Sequence, residues 1–131
     1  MEGIFARLLL GHLIGDFLLQ SKTMALRKSE KSLTGHFYCL IHCLIYTAAV
    51  SLMLWTTSPL IILLIFLSHY PIDRWSLASK WLKIIKGRDI AAAFYSREEY
   101  QQIDLIFSCI VYTVADNTMH LVLLWMIVTF I

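Results

Sequence analysis

The sequence predicts an all-α polytopic membrane protein, with about four transmembrane helices and one amphipathic helix at the membrane surface. Of its 131 residues, 59% are hydrophobic and only 15% are charged, and the mean hydropathy is +0.70. Soluble domains average about 25% charged residues. Four apolar runs approach the roughly 20 residues that a helix needs to cross a bilayer. We therefore expect residues 1–131 to form a single integral membrane domain.

The apolar runs and the segments between them give the predicted order of elements. The runs cover roughly residues 3–20, 36–57, 58–78 and 103–131. A polar loop separates the first run from the second, and a short turn separates the second from the third. Between the third run and the fourth, lysines and arginines alternate with tryptophan and aliphatic residues over about 76–101. This pattern is typical of a helix that lies among lipid headgroups.

The basic residues predict the orientation, because lysine and arginine in short loops stay on the cytoplasmic side. Four lie in the first loop and six lie at or after the end of the third run, the last of them Arg97. With four spans, ten of the eleven basic residues share one side, and both termini face outward. The net charge of +2 then follows from topology and lipid contact, and we expect no nucleic-acid partner.

Within the apolar runs, an aspartate and a histidine stand four residues apart three times. The pairs are His12 with Asp16, His69 with Asp73, and Asp116 with His120. A separation of four keeps both side chains on one face of a helix. Ionisable residues inside a membrane are costly, so by default they mark a functional site.

The order of residues within the pairs predicts that they converge. The first and third spans read His-x-x-x-Asp, whereas the fourth crosses in the opposite sense and reads Asp-x-x-x-His. Every histidine therefore lies on the outer side of its aspartate. At 1.5 Å per residue the pairs and a histidine of the second span reach similar depths. The predicted ligands of one polar layer are His12, Asp16, His42, His69, Asp73, Asp116 and His120.

Imidazoles and carboxylates together suit one or two divalent ions, zinc first, with manganese or iron as alternatives. Asp16, Asp73 or Asp116, where not used as a ligand, is a candidate catalytic base. Gln20 and Arg74 are weaker candidates for substrate contact. Gln20 follows Asp16 by one helical turn, and Arg74 lies at the cytoplasmic boundary, where it could meet a phosphate or extend to the headgroups.

Four segments resemble, in order, a family of small bacterial and phage membrane proteins known only as a domain of unknown function. They are GHLIGDFLLQ, IHCLIYT, SHYPIDRW and VADNTMH. A looser similarity links this family to the inner-membrane metal-dependent hydrolases. The resemblance implies a compact multi-pass domain of the bacterial inner membrane, with its histidines and aspartates pointing inward. The family commonly has glutamine after the late aspartate, where this chain has Asn117.

These observations predict a membrane-embedded, metal-dependent hydrolase. Its expected partners are membrane lipids and a small amphiphilic substrate, such as a phospholipid or a lipid-linked phosphate, and the sequence is compatible with a homo-oligomer. Two alternatives remain open: an ion or proton transporter, and an accessory membrane protein in which Asp–His hydrogen bonds hold the helices together. A haem between two histidines explains less, because it leaves the aspartates without a role.

The predicted orientation can be tested by cysteine labelling. A single cysteine near Lys28 should react with a membrane-impermeant maleimide only after the inner membrane is opened, because the basic loop lies inside. Tags at either terminus should be reached from outside. Labelling near Lys28 in cells with an intact inner membrane would contradict the orientation.

Overall fold

The computed structural model describes residues 2–96 and 100–131, without the side chain of Glu2. Arg97, which contributed to the predicted orientation, lies outside the described residues. The described chain contains helices and no strand, which confirms the predicted all-α class. The elements are α1 (Glu2–Leu13), a π-helix (Ile14–Leu18), α2 (Lys22–Arg27), α3 (Leu33–Leu54), α4 (Pro59–Trp75), α5 (Leu77–Lys86), α6 (Ile90–Tyr95) and α7 (Gln101–Phe130).

Two of the described helices, α3 and α7, are long and apolar enough to cross a membrane by length and composition. The pair α4 and α5 passes the same test as one span that is bent by 60°. The count is therefore two or three, and not the four that the sequence predicts. The difference lies in the first run, because α1 and its π-helix end at Leu18 and are together shorter than a full span.

The predicted surface helix over residues 76–101 divides into two. Gly87 ends α5 in the left-handed conformation, with φ of 62°, which glycine adopts without a steric penalty. Asp89 begins α6, where its carboxylate accepts hydrogen bonds from two backbone N–H groups. Within α5, Leu82 is buried while Trp81 is exposed. The amphipathic character predicted from the sequence is therefore present in α5, over a shorter stretch.

A layer of apolar side chains crosses the bundle beside a layer of histidines. The four apolar residues that flank the histidines are Leu8, Tyr46, Ile65 and Leu124, all buried. On each of these helices a buried histidine lies four residues away from the apolar residue. In the same order, the histidines are His12, His42, His69 and His120. Four residues are about one helical turn. The four helices α1, α3, α4 and α7 therefore each contribute one apolar residue and one histidine to adjacent layers.

Close contact between α1 and α3 depends on two glycines. A Cβ at Gly11 would lie 2.9 Å from Cα of Val50, and a Cβ at Gly15 would lie 2.6 Å from Cδ2 of Tyr46. Neither position has room for a side chain. The glycines thus let the two helices approach closely enough for Tyr46 to reach the histidine layer.

Alanine at Gly11 or Gly15 should destabilise the chain by about 1–3 kcal/mol, because overpacking forces the helices apart. Gly3→Ala is the matched control, since nothing lies within 4 Å of a Cβ there, and alanine favours a helix. Thermal unfolding of the detergent-purified variants is the measurement. A Gly11→Ala variant as stable as Gly3→Ala would contradict the packing described here.

Candidate metal centre

Asp16 is positioned by the π-helix that follows α1. The backbone N–H of Leu19 donates to the carbonyl of Ile14, five residues earlier, at 2.9 Å. Such wide turns occur mostly as single turns inside α-helices, frequently at functional sites. The turn includes Gly15, whose contact with Tyr46 holds this segment against α3. Asp16 therefore faces the bundle from a segment that two neighbouring glycines keep close to α3.

Four ligand atoms from three segments converge in the histidine layer, and we call them the first ligand group. They are Oδ1 of Asp16, Nε2 of His42, Nε2 of His69 and Oδ2 of Asp73. Nε2 of His42 lies 2.9 Å from Asp73, 3.1 Å from Asp16 and 3.0 Å from His69. Nε2 of His69 lies 3.2 Å from Asp73 and 3.6 Å from Asp16.

These separations fit a tetrahedral ion. Ligands about 2.0–2.1 Å from a tetrahedral zinc ion are roughly 3.3 Å from one another. Five of the six separations within the first ligand group, those that involve a histidine, run from 2.9 to 3.6 Å. The group could therefore hold a metal ion with little movement of its side chains.

A second ligand group lies beside the first and shares one residue with it. It comprises His12, Asp16 and His120. Oδ2 of Asp16 is 3.3 Å from Nδ1 of His12, while Oδ1 belongs to the first group. Nε2 of His120 is 3.7 Å from Oδ1 of Asp73. The carboxylates of Asp16 and Asp73 therefore lie between the two groups, with one oxygen turned toward each.

Several buried acceptors in these groups lack a hydrogen-bond partner. Nε2 of His120 is inaccessible to solvent and has no hydrogen-bond partner in the described part of the chain. Oδ1 of Asp16 is equally inaccessible, and its polar neighbours in the group are the ring nitrogens of His42 and His69, at 3.1 and 3.6 Å. A buried polar atom without a partner costs about 1–3 kcal/mol. An ion bound to these atoms would remove that cost, so the residues present fit a metal site.

Lys28 contacts the first ligand group, although the sequence predicted for it only a position in a cytoplasmic loop. Its Nζ lies 2.6 Å from Oδ2 of Asp73, and the side chain is 15% exposed. Burial disfavours the ammonium ion, but the adjacent carboxylate of Asp73 outweighs burial and raises the pKa of Lys28. The sequence gives one indication of this contact, because the loop that contains Lys28 joins two segments that carry predicted ligands.

Tyr46 and Asn117 hold His12 in place, and neither was predicted to do so. Oδ1 of Asn117 is 2.7 Å from Nε2 of His12, while the amide nitrogen of Asn117 donates to the carbonyl of Thr113. Nε2 of His12 is therefore the donor, and Nδ1 accepts from the Tyr46 hydroxyl at 3.0 Å. The Tyr46 ring also stacks on His69, with 3.6 Å between ring centroids.

The remaining predicted site residues lie at different distances from the ligand groups. Nδ1 of His120 donates to the backbone carbonyl of Asp116 at 2.9 Å, and the Asp116 carboxylate is 3.8 Å from that nitrogen, outside both groups. The amide nitrogen of Gln20 is 3.0 Å from Nε2 of His42, so Gln20 adjoins the first group. Arg74 is buried and donates to His36, which belongs to neither group.

The comparisons with known proteins identify a family and no function. The model of a family described as a protein of unknown function, DUF3307, matches residues 4–131. No curated protein and no solved structure matches the chain. The predicted resemblance to a family of unknown function is confirmed, whereas the similarity to hydrolases stays a prediction. Because the match covers nearly the whole length and every predicted ligand, the chain belongs to the DUF3307 family.

Proposed function

We propose that this chain is a membrane-embedded, metal-dependent hydrolase that holds a divalent ion, zinc first, in the first ligand group. The observation that carries the proposal is the convergence of two carboxylate oxygens and two imidazole nitrogens in a buried layer. Manganese and iron use the same ligand types and are the alternatives. The second ligand group would hold a second ion, with Asp16 between the two, once the Tyr46 hydroxyl released Nδ1 of His12.

The charges of the buried layer support a divalent cation. With neutral imidazoles and all three carboxylates ionised, Asp16, Asp73 and Asp116 exceed the ammonium of Lys28 by two negative charges. The side chains of these aspartates are at most 17% exposed. Burying charge without compensation costs several kcal/mol per ion. One divalent ion balances the excess.

A bound metal would supply an acidified water and polarise a carbonyl or phosphoryl oxygen. The chain's own residues then have separate tasks. Asp116 is not in either ligand group, so its carboxylate is available to accept a proton. Lys28 places a positive charge beside Asp73, where it would pair with an anionic oxygen of the substrate. Tyr46 and Asn117 fix the orientation of His12.

The proposed membrane placement adds a shorter segment to α3, α7 and the bent pair of α4 and α5. α1 with its π-helix lies against α3 and contributes ligands at the same level as the longer helices, so it must occupy the same layer. Large apolar side chains are exposed on the outer faces of the spans, among them Leu44, Leu63 and Ile110. Such faces suit contact with acyl chains. We place the protein in the bacterial inner membrane with both termini outside, and its substrate would be an amphiphile from the cytoplasmic leaflet.

Metal content is the first test. The full chain, purified in detergent without chelator, should retain one or two equivalents of a transition metal by inductively coupled plasma mass spectrometry. Asp73→Asn keeps the shape of the side chain but removes a charged ligand, so at least one equivalent should be lost. The matched control is Asp104→Asn, because Asp104 is exposed and lies on α7 outside both ligand groups. A metal-free wild-type protein, or unchanged metal in Asp73→Asn, would overturn the metal centre.

Turnover separates an enzyme from a transporter. In proteoliposomes of bacterial lipid extract, the metal-loaded protein should release water-soluble phosphate or a soluble headgroup, which chelation abolishes and added zinc restores. Removing the metal removes the acidified water on which hydrolysis depends. Ion or proton flux that depends on the same metal, without any lipid product, would instead favour the transporter.

A further inference from the structure

His12 can offer an ion only one of its two ring nitrogens. Its Nε2 donates to Oδ1 of Asn117 at 2.7 Å, and that amide is held in this orientation because its nitrogen donates to the carbonyl of Thr113 at 2.6 Å. A neutral imidazole with its proton on Nε2 has a single lone pair, on Nδ1. Nδ1 lies 3.3 Å from Oδ2 of Asp16 and is therefore the nitrogen that His12 contributes to the second ligand group.

The lone pair of Nδ1 is already occupied by a hydrogen bond. The hydroxyl of Tyr46 donates to Nδ1 of His12 at 3.0 Å, and both side chains are buried. A zinc ion bound to Nδ1 would lie about 2.0–2.1 Å from it along the same lone pair. The hydroxyl stands in that direction, so Nδ1 cannot bind an ion and accept from Tyr46 at the same time.

Tyr46 has little freedom to withdraw its hydroxyl. The side chain is fully buried, and its ring stacks on His69 with 3.6 Å between ring centroids. The same ring packs against Gly15 of the π-helix, where a Cβ would lie only 2.6 Å from Cδ2 of Tyr46. Moving the hydroxyl away from His12 would therefore disturb the π-helix and a ligand of the first group. An ion bound to His69 would fix the ring on which Tyr46 stacks, so filling the first group does not free Nδ1 of His12.

The neighbours that bond to the first ligand group obstruct an ion less. The amide nitrogen of Gln20 lies 3.0 Å from Nε2 of His42, but Gln20 is half-buried and belongs to the short segment between the π-helix and α2. Its flexible side chain can turn toward solvent without disturbing the packing of a helix. Lys28 bonds to Oδ2 of Asp73, and an ionised carboxylate oxygen has a further lone pair for an ion. An ion can therefore enter the first group without displacing a packed ring.

We propose that Tyr46 limits the centre to one tightly bound ion, because its hydroxyl keeps Nδ1 of His12 out of the second ligand group. The inference rests on the metal centre proposed above, and it adds which group fills and what keeps the other empty. The tightly bound ion occupies the first ligand group. A second ion binds only when the hydrogen bond between Tyr46 and His12 breaks, so its affinity is lowered by the net stability of that bond.

Zinc binding to the full chain tests this inference. Metal-free protein in detergent is dialysed against rising concentrations of free zinc, and bound zinc is measured by inductively coupled plasma mass spectrometry. The wild-type chain should bind one equivalent tightly and a second only at much higher concentration. Tyr46→Phe keeps the stacked ring and removes the hydroxyl. It should bind the second equivalent about tenfold more tightly, as expected for loss of one competing hydrogen bond, and the first equivalent as before.

The matched control is Tyr38→Phe, which removes a hydroxyl from a half-buried ring of the same helix, outside both ligand groups. It should bind zinc as the wild type does. A second equivalent that Tyr46→Phe leaves unchanged, or two equivalents of equal affinity in the wild type, would overturn the inference and leave the metal centre standing. Loss of zinc in Tyr46→Phe would also overturn it, because Tyr46 would then be a ligand. A wild-type chain that binds no zinc would instead refute the metal centre on which the inference rests.

His12→Gln keeps the test available should Tyr46→Phe fail to fold. In the proposed state His12 is not a ligand of the tightly bound ion. The variant should therefore retain that equivalent of zinc with its affinity unchanged. Loss of the tightly bound zinc would place His12 in the occupied site, and the inference would then be wrong.

Discussion

The packing of this chain depends on one buried carboxylate, that of Asp73. Its side chain is 2% exposed, so every partner it needs must come from the protein or from a bound ion. The loop before α3 supplies Lys28 at 2.6 Å, α3 supplies His42 at 2.9 Å, and α7 supplies His120 at 3.7 Å. Bringing these groups to one point fixes the positions of three helices and of a loop. The apolar layer lies one turn away on each helix. Its side chains can pack only when the helices are in the positions that the contacts of Asp73 require.

The sequence predicts this convergence because the histidines and aspartates recur at helical spacing. Pairs four residues apart, with the order reversed in the last span, place His12, His69 and His120 on inward faces at one level, and the structure brings their rings together. The predicted level also included His42, which lies at the centre of the first ligand group. In a helix, the spacing of residues fixes both the face on which a side chain lies and its height along the axis. These parts of the site can therefore be predicted from the sequence alone.

The other parts depend on choices that spacing does not encode. Asp116 and His120 have the same separation as the other pairs, yet His120 bonds to the backbone carbonyl of Asp116 and the carboxylate lies outside both ligand groups. Lys28 reaches Asp73 across 45 residues from a loop, where no periodicity indicates a direction. The end of α5 likewise depends on the local backbone conformation of Gly87. This conformation divides a stretch whose composition predicts one helix.

The neighbouring residues Asp73 and Arg74 show how α4 separates two kinds of chemistry. Opposite charges adjacent in sequence could neutralise each other, but successive residues of a helix point about 100° apart. Asp73 therefore enters the first ligand group, where Lys28 partly balances its charge, and Arg74 bonds to His36 of α3. Had Arg74 paired with Asp73, the carboxylate would be less available to a metal. The position of Lys28 on a separate loop thus lets Asp73 be partly neutralised within the metal centre, while Arg74 bonds to His36.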